Sequence, residues 1–218
     1  GEKGVKKSLN IVLICLMAFM MVANDVLACT NVLVSRGAST DGSVMITYSA
    51  DAPFIPKLMI VPTMKFKEGE MMDVRAWEDD EIVGQIKAAM RTYHVTGLIN
   101  EYQVAIAETT TGGRRELMNR EGMLDYDGLM MLALQHSKTA REAIDNVVKF
   151  CDEYGYKSSG ETLSIADKNE VWMMEIIGKG KGVKGIAWVA CKVPDGHVTA
   201  HANMSRITTF PMNDKDNW

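Results

Sequence analysis

Cys29 directly follows Val26-Leu27-Ala28. A cut after Ala28 would leave its thiol and a free α-amino group on the same carbon. Such an amine has a pKa near ~7.7–8.0, so a useful fraction is neutral near neutrality and can take a thiol proton. Nucleophile and base would then sit in one residue. A nearby carboxylate would orient that amine, and an amide side chain on the far side would stabilise an oxyanion. Val26-Leu27-Ala28-Cys29 also has the form of a bacterial lipobox, in which the cysteine is lipidated and its amine acylated. The two outcomes exclude each other at one nitrogen.

The segment before the cysteine reads as an export leader. Lys3, Lys6 and Lys7 precede the apolar run Ile11–Ala23, which Asn24 and Asp25 end at once. That run is shorter than the ~20 residues of a membrane-spanning helix and fits a signal peptide. We therefore expect residues 1–28 to be a signal peptide and 29–218 one domain, exported to the periplasm, the cell surface or the medium. Membrane attachment would come only through the leader or a lipid anchor. The chain has 218 residues, 47% of them hydrophobic, with Lys+Arg 24 against Asp+Glu 28. This suits a globular domain with a sizeable core. A net charge of −4 argues against nucleic acid as a partner, because phosphates demand a basic face.

Other reactive residues have plainer readings. Cys15 lies in the leader, which leaves Cys29, Cys151 and Cys191, an odd number in an exported chain and a hint of a free thiol. A Cys151–Cys191 disulfide is compatible with the sequence but does not follow from it. His197 and His201 fall in an alternating run, where residues four apart lie about 13 Å from each other, too far to share a metal. No histidine among His94, His136, His197 and His201 has local context for a Cys-His pair. Gly112-Gly113-Arg114-Arg115 could hold an anion, although a tight surface loop is the commoner use of such residues. Nothing calls for a metal or a cofactor.

The elements that must position these groups can be read from periodicity. Residues 30–50 alternate around the Asp41-Gly42 turn, a hairpin that would return Asp51 close to Cys29. A short strand is expected at Lys57–Val61, then loops and short strands over 65–92. Tyr93–Ile99 and Gln103–Thr110 read as a second hairpin with Asn100 at its tip. Asp127 could cap a helix over Gly128–His136. Thr139 and Glu142 form a capping box for the next helix, whose buried face would carry Ala140, Ile144, Val147, Val148 and Cys151 up to Gly155. Cys151 on that face is a core residue. Strands follow at Glu161–Ala166, Val171–Ile177, Ile186–Val193 and His197–Ala202. Strands, two helices and more strands make an α+β domain.

Three stretches together carry a resemblance. They are Cys29-Thr30-Asn31; Ala38-Ser39-Thr40-Asp41-Gly42-Ser43 leading to Tyr48-Ser49-Ala50-Asp51; and Thr96-Gly97-Leu98-Ile99-Asn100-Glu101 leading to Ala107-Glu108-Thr109-Thr110-Thr111-Gly112-Gly113-Arg114. From Cys29 onward the chain resembles the bacterial dipeptidase A family, cysteine peptidases of the N-terminal-nucleophile class related to choloylglycine hydrolase and penicillin V acylase. The resemblance implies a four-layer αββα sandwich and hydrolysis of small peptides through a thioester. It also implies that Cys29 is the nucleophile, that Asp51 holds its amine, that Asn100 helps form the oxyanion hole, and that Asn203 is a second asparagine near the amine and the oxyanion.

The match has departures. In the choloylglycine branch an arginine stands three residues before the aspartate, where this chain has Tyr48. Family members are roughly twice as long, and the later part of the sandwich and a further catalytic arginine have no counterpart here, so the fold is expected to be incomplete at its C-terminus. Two other functions stay open: an amidase of the same class acting on bile-salt conjugates or penicillin-type amides, and a lipid-anchored or inactive truncated surface protein.

Overall fold

The computed structural model describes residues 29–51, 58–76, 81–214 and 216; the expected leader and its cut after Ala28 lie outside them. Seven strands form a large antiparallel sheet: β3 (Ile60–Val61), β6 (Val95–Thr96), β7 (Ile99–Asn100), β8 (Ala105–Gly112), β9 (Gly160–Ala166), β10 (Val171–Gly178) and β11 (Ile186–Lys192). Their order is β11-β10-β9-β8-β7-β6-β3. A smaller sheet, ordered β12-β1-β2, holds β1 (Asn31–Val34) between β2 (Met45–Ile46) and β12 (Val198–His201). The hairpin β4 (Met71–Arg75) with β5 (Ile82–Lys87) stands apart from both, in the stretch where the sequence shows only short strands without a clear period.

The two helices are α1 (Tyr126–His136) and α2 (Ala140–Tyr154). Helix α1 starts two residues earlier than expected, because its N-cap is Asp125, whose side chain accepts from Gly128 N at 2.8 Å. Helix α2 follows the sequence closely. Thr139 accepts from Glu142 N at 3.1 Å, while the Glu142 carboxylate reaches back to Lys138 N at 2.7 Å. Gly155 closes the helix at φ 81, a conformation that suits a residue without Cβ.

The helices pack on one face of the large sheet and the small sheet on the other. The main core, between helices and sheet, includes Ile106, Leu129, Leu134, Val147, Leu163, Ile165 and Met174, all fully buried. Each such side chain contributes roughly 1.5–3 kcal/mol by leaving water. A smaller core of Leu33, Ala166, Val171, Met173 and Val193 lies between the sheets. Every residue of β9 is buried, since that strand is covered on both sides. The fold is therefore α+β, with helices, a large sheet and a small sheet in three described layers.

The sheet also separates two cysteines. Cys151 belongs to the core on the helix side. Cys191 pairs in register with Met173, whose side chain faces the small sheet. Both thiols are free, on opposite faces of the sheet.

Candidate active site

The site is built where β1 begins. Thr30 and Ser49 exchange both backbone hydrogen bonds, at 2.9 and 3.0 Å. This extends the pairing Leu33↔Ile46 and sets Asn31 across from Tyr48 and Cys29 across from Ala50. Asp51 follows directly. On the other side of β1, Asn31 pairs with His201, where the strand pairing ends, and Asn203 follows two residues further along the chain. The Asn203 Nδ2 donates to Thr110 O of β8 at 2.8 Å, which anchors this side chain to the large sheet. Cys29 is half-buried, and Asp51 and Asn203 are exposed.

Asn100 is placed differently from the expectation. It ends β7 rather than forming a hairpin tip, and its side chain is 5% exposed. Its Nδ2 donates to Leu134 O and Ser137 O, both at 2.7 Å, and its Oδ1 accepts from Tyr102 N and Val104 N at 2.9 and 3.0 Å. Both amide protons are thus engaged with the end of α1, and none is left for an oxyanion. Asn100 also sits before the start of β8, whereas Asn203 meets that strand at Thr110, about 20 Å further along at ~3.4 Å per residue. Its surroundings support a structural role, tying a tight turn to a helix end.

Cys29, Asn31, Leu33, Ile46 and Tyr48 share one face of the small sheet, because residues paired across strands point the same way. Tyr48 is the diagonal neighbour of Cys29, about 7–8 Å between backbones and within an aromatic side chain's reach. Its hydroxyl donates to Glu108 Oε1 at 2.6 Å. The contact is made at the open edge of β8, which β7 pairs only at Ala105. Glu108 lies on the helix face of its sheet, opposite Leu163. Glu161 shares that face, across from Thr110 and diagonal to Glu108.

Glu108 and Glu161 are 2% and 1% exposed, and no ion pair among the described residues reaches either. Burial first, and the neighbouring Glu108 second, push Glu161 up to about 10. A second negative charge so close to Glu108 is disfavoured, so Glu161 holds its proton. Burial and the bond to Glu108 also raise Tyr48 far above the ordinary phenol range, so it stays a donor to Glu108.

His201 is a scaffold residue. Asn31 Nδ2 donates to Ser164 Oγ at 3.0 Å, and Ser164 Oγ lies 2.8 Å from His201 Nε2. His201 Nδ1 lies 2.7 Å from Thr109 Oγ1, which donates to Ala202 O at 2.8 Å. One assignment lets every group donate once: Ser164 donates to Nε2, and Nδ1–H donates to Thr109. Burial lowers His201 to about 4 and keeps it neutral. With its basic lone pair occupied, it does not serve Cys29 as a base; it ties β1, β8, β9 and the end of β12 together.

Sequence reasoning passed over Tyr48, Glu161, Ser164 and His201 as site components. The available signal was a glutamate inside each of two strand-like runs, 105–112 and 160–166, where a buried carboxyl requires an explanation. Cys151 is in the core as expected, and burial raises its thiol far above the ordinary range. Arg114 of the Gly-Gly-Arg-Arg stretch is exposed and paired with Glu116 at 2.6 Å. A groove of about 630 Å³, lined by Met59, Met64, Met71, Met72 and Met131 among others, contains none of the four candidate residues.

The profile of peptidase family C69 matches residues 28–76 and 58–218. The chain belongs to peptidase family C69. Among curated C69-like relatives, "Probable dipeptidase A" of Streptococcus pyogenes serotype M3 (strain SSI-1) is 27% identical over 210 residues, 88% of this chain and 43% of the relative. "Dipeptidase" of Bifidobacterium longum (strain NCC 2705) is 27% identical over 219 residues, 86% of this chain and 39% of the relative. "Probable dipeptidase B" of Lactococcus lactis subsp. lactis (strain IL1403) is 30% identical over 209 residues, covering 87% and 42%. This C69 chain thus spans less than half the length of these curated relatives.

Proposed function

We propose that this chain is the nucleophile-bearing part of an exported cysteine dipeptidase, with Cys29 freed as an N-terminal nucleophile by cleavage after Ala28. The observation that carries the reading is the Thr30–Ser49 pairing, which sets Ala50 across from Cys29 with Asp51 next in the chain. The Cys29 thiol attacks the scissile carbonyl, and its own amine takes the thiol proton and passes it to the leaving amine. A thioester joins Cys29 to the acyl part until water, activated by the same amine, releases it. Asp51 orients the amine. Asn203, with one amide proton given to Thr110 O, offers its second to the oxyanion. No step requires a metal or a cofactor. The complete fold in this reading is the four-layer αββα sandwich, with a second helical layer outside the small sheet.

The test compares the protein starting at Cys29 with the form still carrying residues 1–28, on a panel of unblocked dipeptides, taurocholate and penicillin V. Turnover of dipeptides only by the cleaved form, and its loss in Cys29→Ala but not Cys151→Ala, is the expected result. Equal loss in both variants would remove Cys29 from the mechanism. A diacylglyceryl mass on Cys29 in the exported form would replace the enzyme with a lipid-anchored protein.

A further inference from the structure

The acid pair beside the nucleophile has no part in the mechanism above, and it sits in an unusual electrical situation. Glu108 and Glu161 are buried together in the core, with no cationic partner among the described residues. Glu108 Oε2 and Glu161 Oε2 are buried and receive no donor from elsewhere in the protein. The groups around them are Tyr48, Thr110, Tyr126, Asp127 and Tyr156, with Cys29 beside Tyr48 and Cys151 beside Tyr156. None of these carries a positive charge. Buried carboxyl oxygens left without a donor are costly, and beside Cys29 such a pair suits a cationic group that arrives from outside.

Tyr48 connects the acid pair to the space around Cys29. Its proton is committed to Glu108, so what it turns towards Cys29 is an oxygen lone pair, made more basic by the carboxylate behind it. An unblocked peptide held with its first carbonyl at the Cys29 sulfur has its ammonium group one carbon away from that carbonyl. The diagonal position of Tyr48 relative to Cys29 is within reach of that nitrogen.

We propose that Tyr48, backed by the Glu108–Glu161 acid pair, receives the free α-ammonium group of the peptide substrate and so selects peptides with an unblocked N-terminus. This rests on Cys29 being the nucleophile, and it names the residue that makes the reaction specific for short unblocked peptides. Tyr48 recognises; Glu108 positions and polarises it.

The experiment uses the chain starting at Cys29, alanyl-alanine and N-acetyl-alanyl-alanine. In the Cys29→Ala background, calorimetry should show alanyl-alanine binding at least about tenfold more tightly than its acetylated form, as expected for a hydrogen bond to a charged group. Tyr48→Phe should erase that difference while leaving the acetylated peptide's affinity unchanged. Glu108→Gln, which keeps the side-chain shape, should reduce it. In the Cys29 protein, Tyr48→Phe should raise KM for alanyl-alanine by about tenfold with a smaller change in kcat. Equal weakening of both peptides by Tyr48→Phe, an unchanged preference, or failure of alanyl-alanine to bind would overturn the proposal. Retained turnover in Cys29→Ala would instead overturn the nucleophile, which keeps the two failures distinct.

Discussion

Tyr48 donates to Glu108 Oε1 across 2.6 Å and in doing so joins the two sheets near the end of the small sheet where Cys29 lies. Tyr48 belongs to the small sheet by its pairing with β1, and Glu108 to the large sheet through β8. The bond therefore reports whether the sheets are docked. Removing it bears on both stability and the shape of the site.

The acid pair predicts a stability that declines as pH rises. Folded Glu161 keeps its proton up to about 10, whereas the unfolded chain releases it near the ordinary 4.5. Between those values the folded state binds more protons, so unfolding free energy falls with pH, by at most about 1.4 kcal/mol per unit. Urea denaturation between pH 6 and pH 9 should show this slope, and Glu161→Gln should flatten it. A slope of the opposite sign, or one unchanged by Glu161→Gln, would contradict the proton held by Glu161.

His201 acts at the acid end with the reverse sign. Burial lowers it to about 4 from an ordinary 6.5. In that window the unfolded state takes up the proton first, so stability falls as pH drops from 6.5 towards 4. His201→Gln should remove this limb and cost about 2 kcal/mol at neutral pH, since it breaks the Ser164 and Thr109 bonds. Thermal melts across pH 4 to 7 measure both effects.

The two asparagines should separate cleanly. Asn100→Ala leaves Leu134 O and Ser137 O without their donor and should destabilise by about 2–3 kcal/mol. Asn203→Ala, at an exposed position, should change stability by less than about 1 kcal/mol while lowering kcat. Chemical denaturation paired with steady-state kinetics distinguishes them. A stability loss in Asn203→Ala as large as that in Asn100→Ala would make Asn203 structural too.

Native-state alkylation should rank the thiols by access. Cys29 and Cys191 are half-buried, whereas Cys151 is fully buried and its thiolate is disfavoured by burial. Iodoacetamide followed by peptide mass mapping should label Cys29 and Cys191 and spare Cys151 until the protein is unfolded. Labelling of Cys151 in the native protein would show that α2 opens readily.

What could be read without a structure was local. The helix over 140–154 announced itself through Thr139, Glu142, a one-sided apolar pattern and Gly155, because capping and periodicity act within a few residues. The strands over 160–201 were legible for the same reason, and the return of Asp51 towards Cys29 followed from one turn and a register count. The cap of α1 was misplaced by two residues because Asp125 and Asp127 are equally good caps, and only packing chooses between them. Asn100 entered the candidate site through the family resemblance, whereas the end of α1 closes over its side chain, a contact between residues more than thirty positions apart.

From the sequence alone came the family resemblance and most of the helices and strands that follow Cys29. Tertiary structure alone decided which distant groups keep it company. Tyr48 meets Glu108, and Glu161 sits beside Glu108, because two sheets stack and one strand edge stays open. Neither fact has a periodicity or a spacing. The burial that raises Glu161 exists only once the helices cover the sheet.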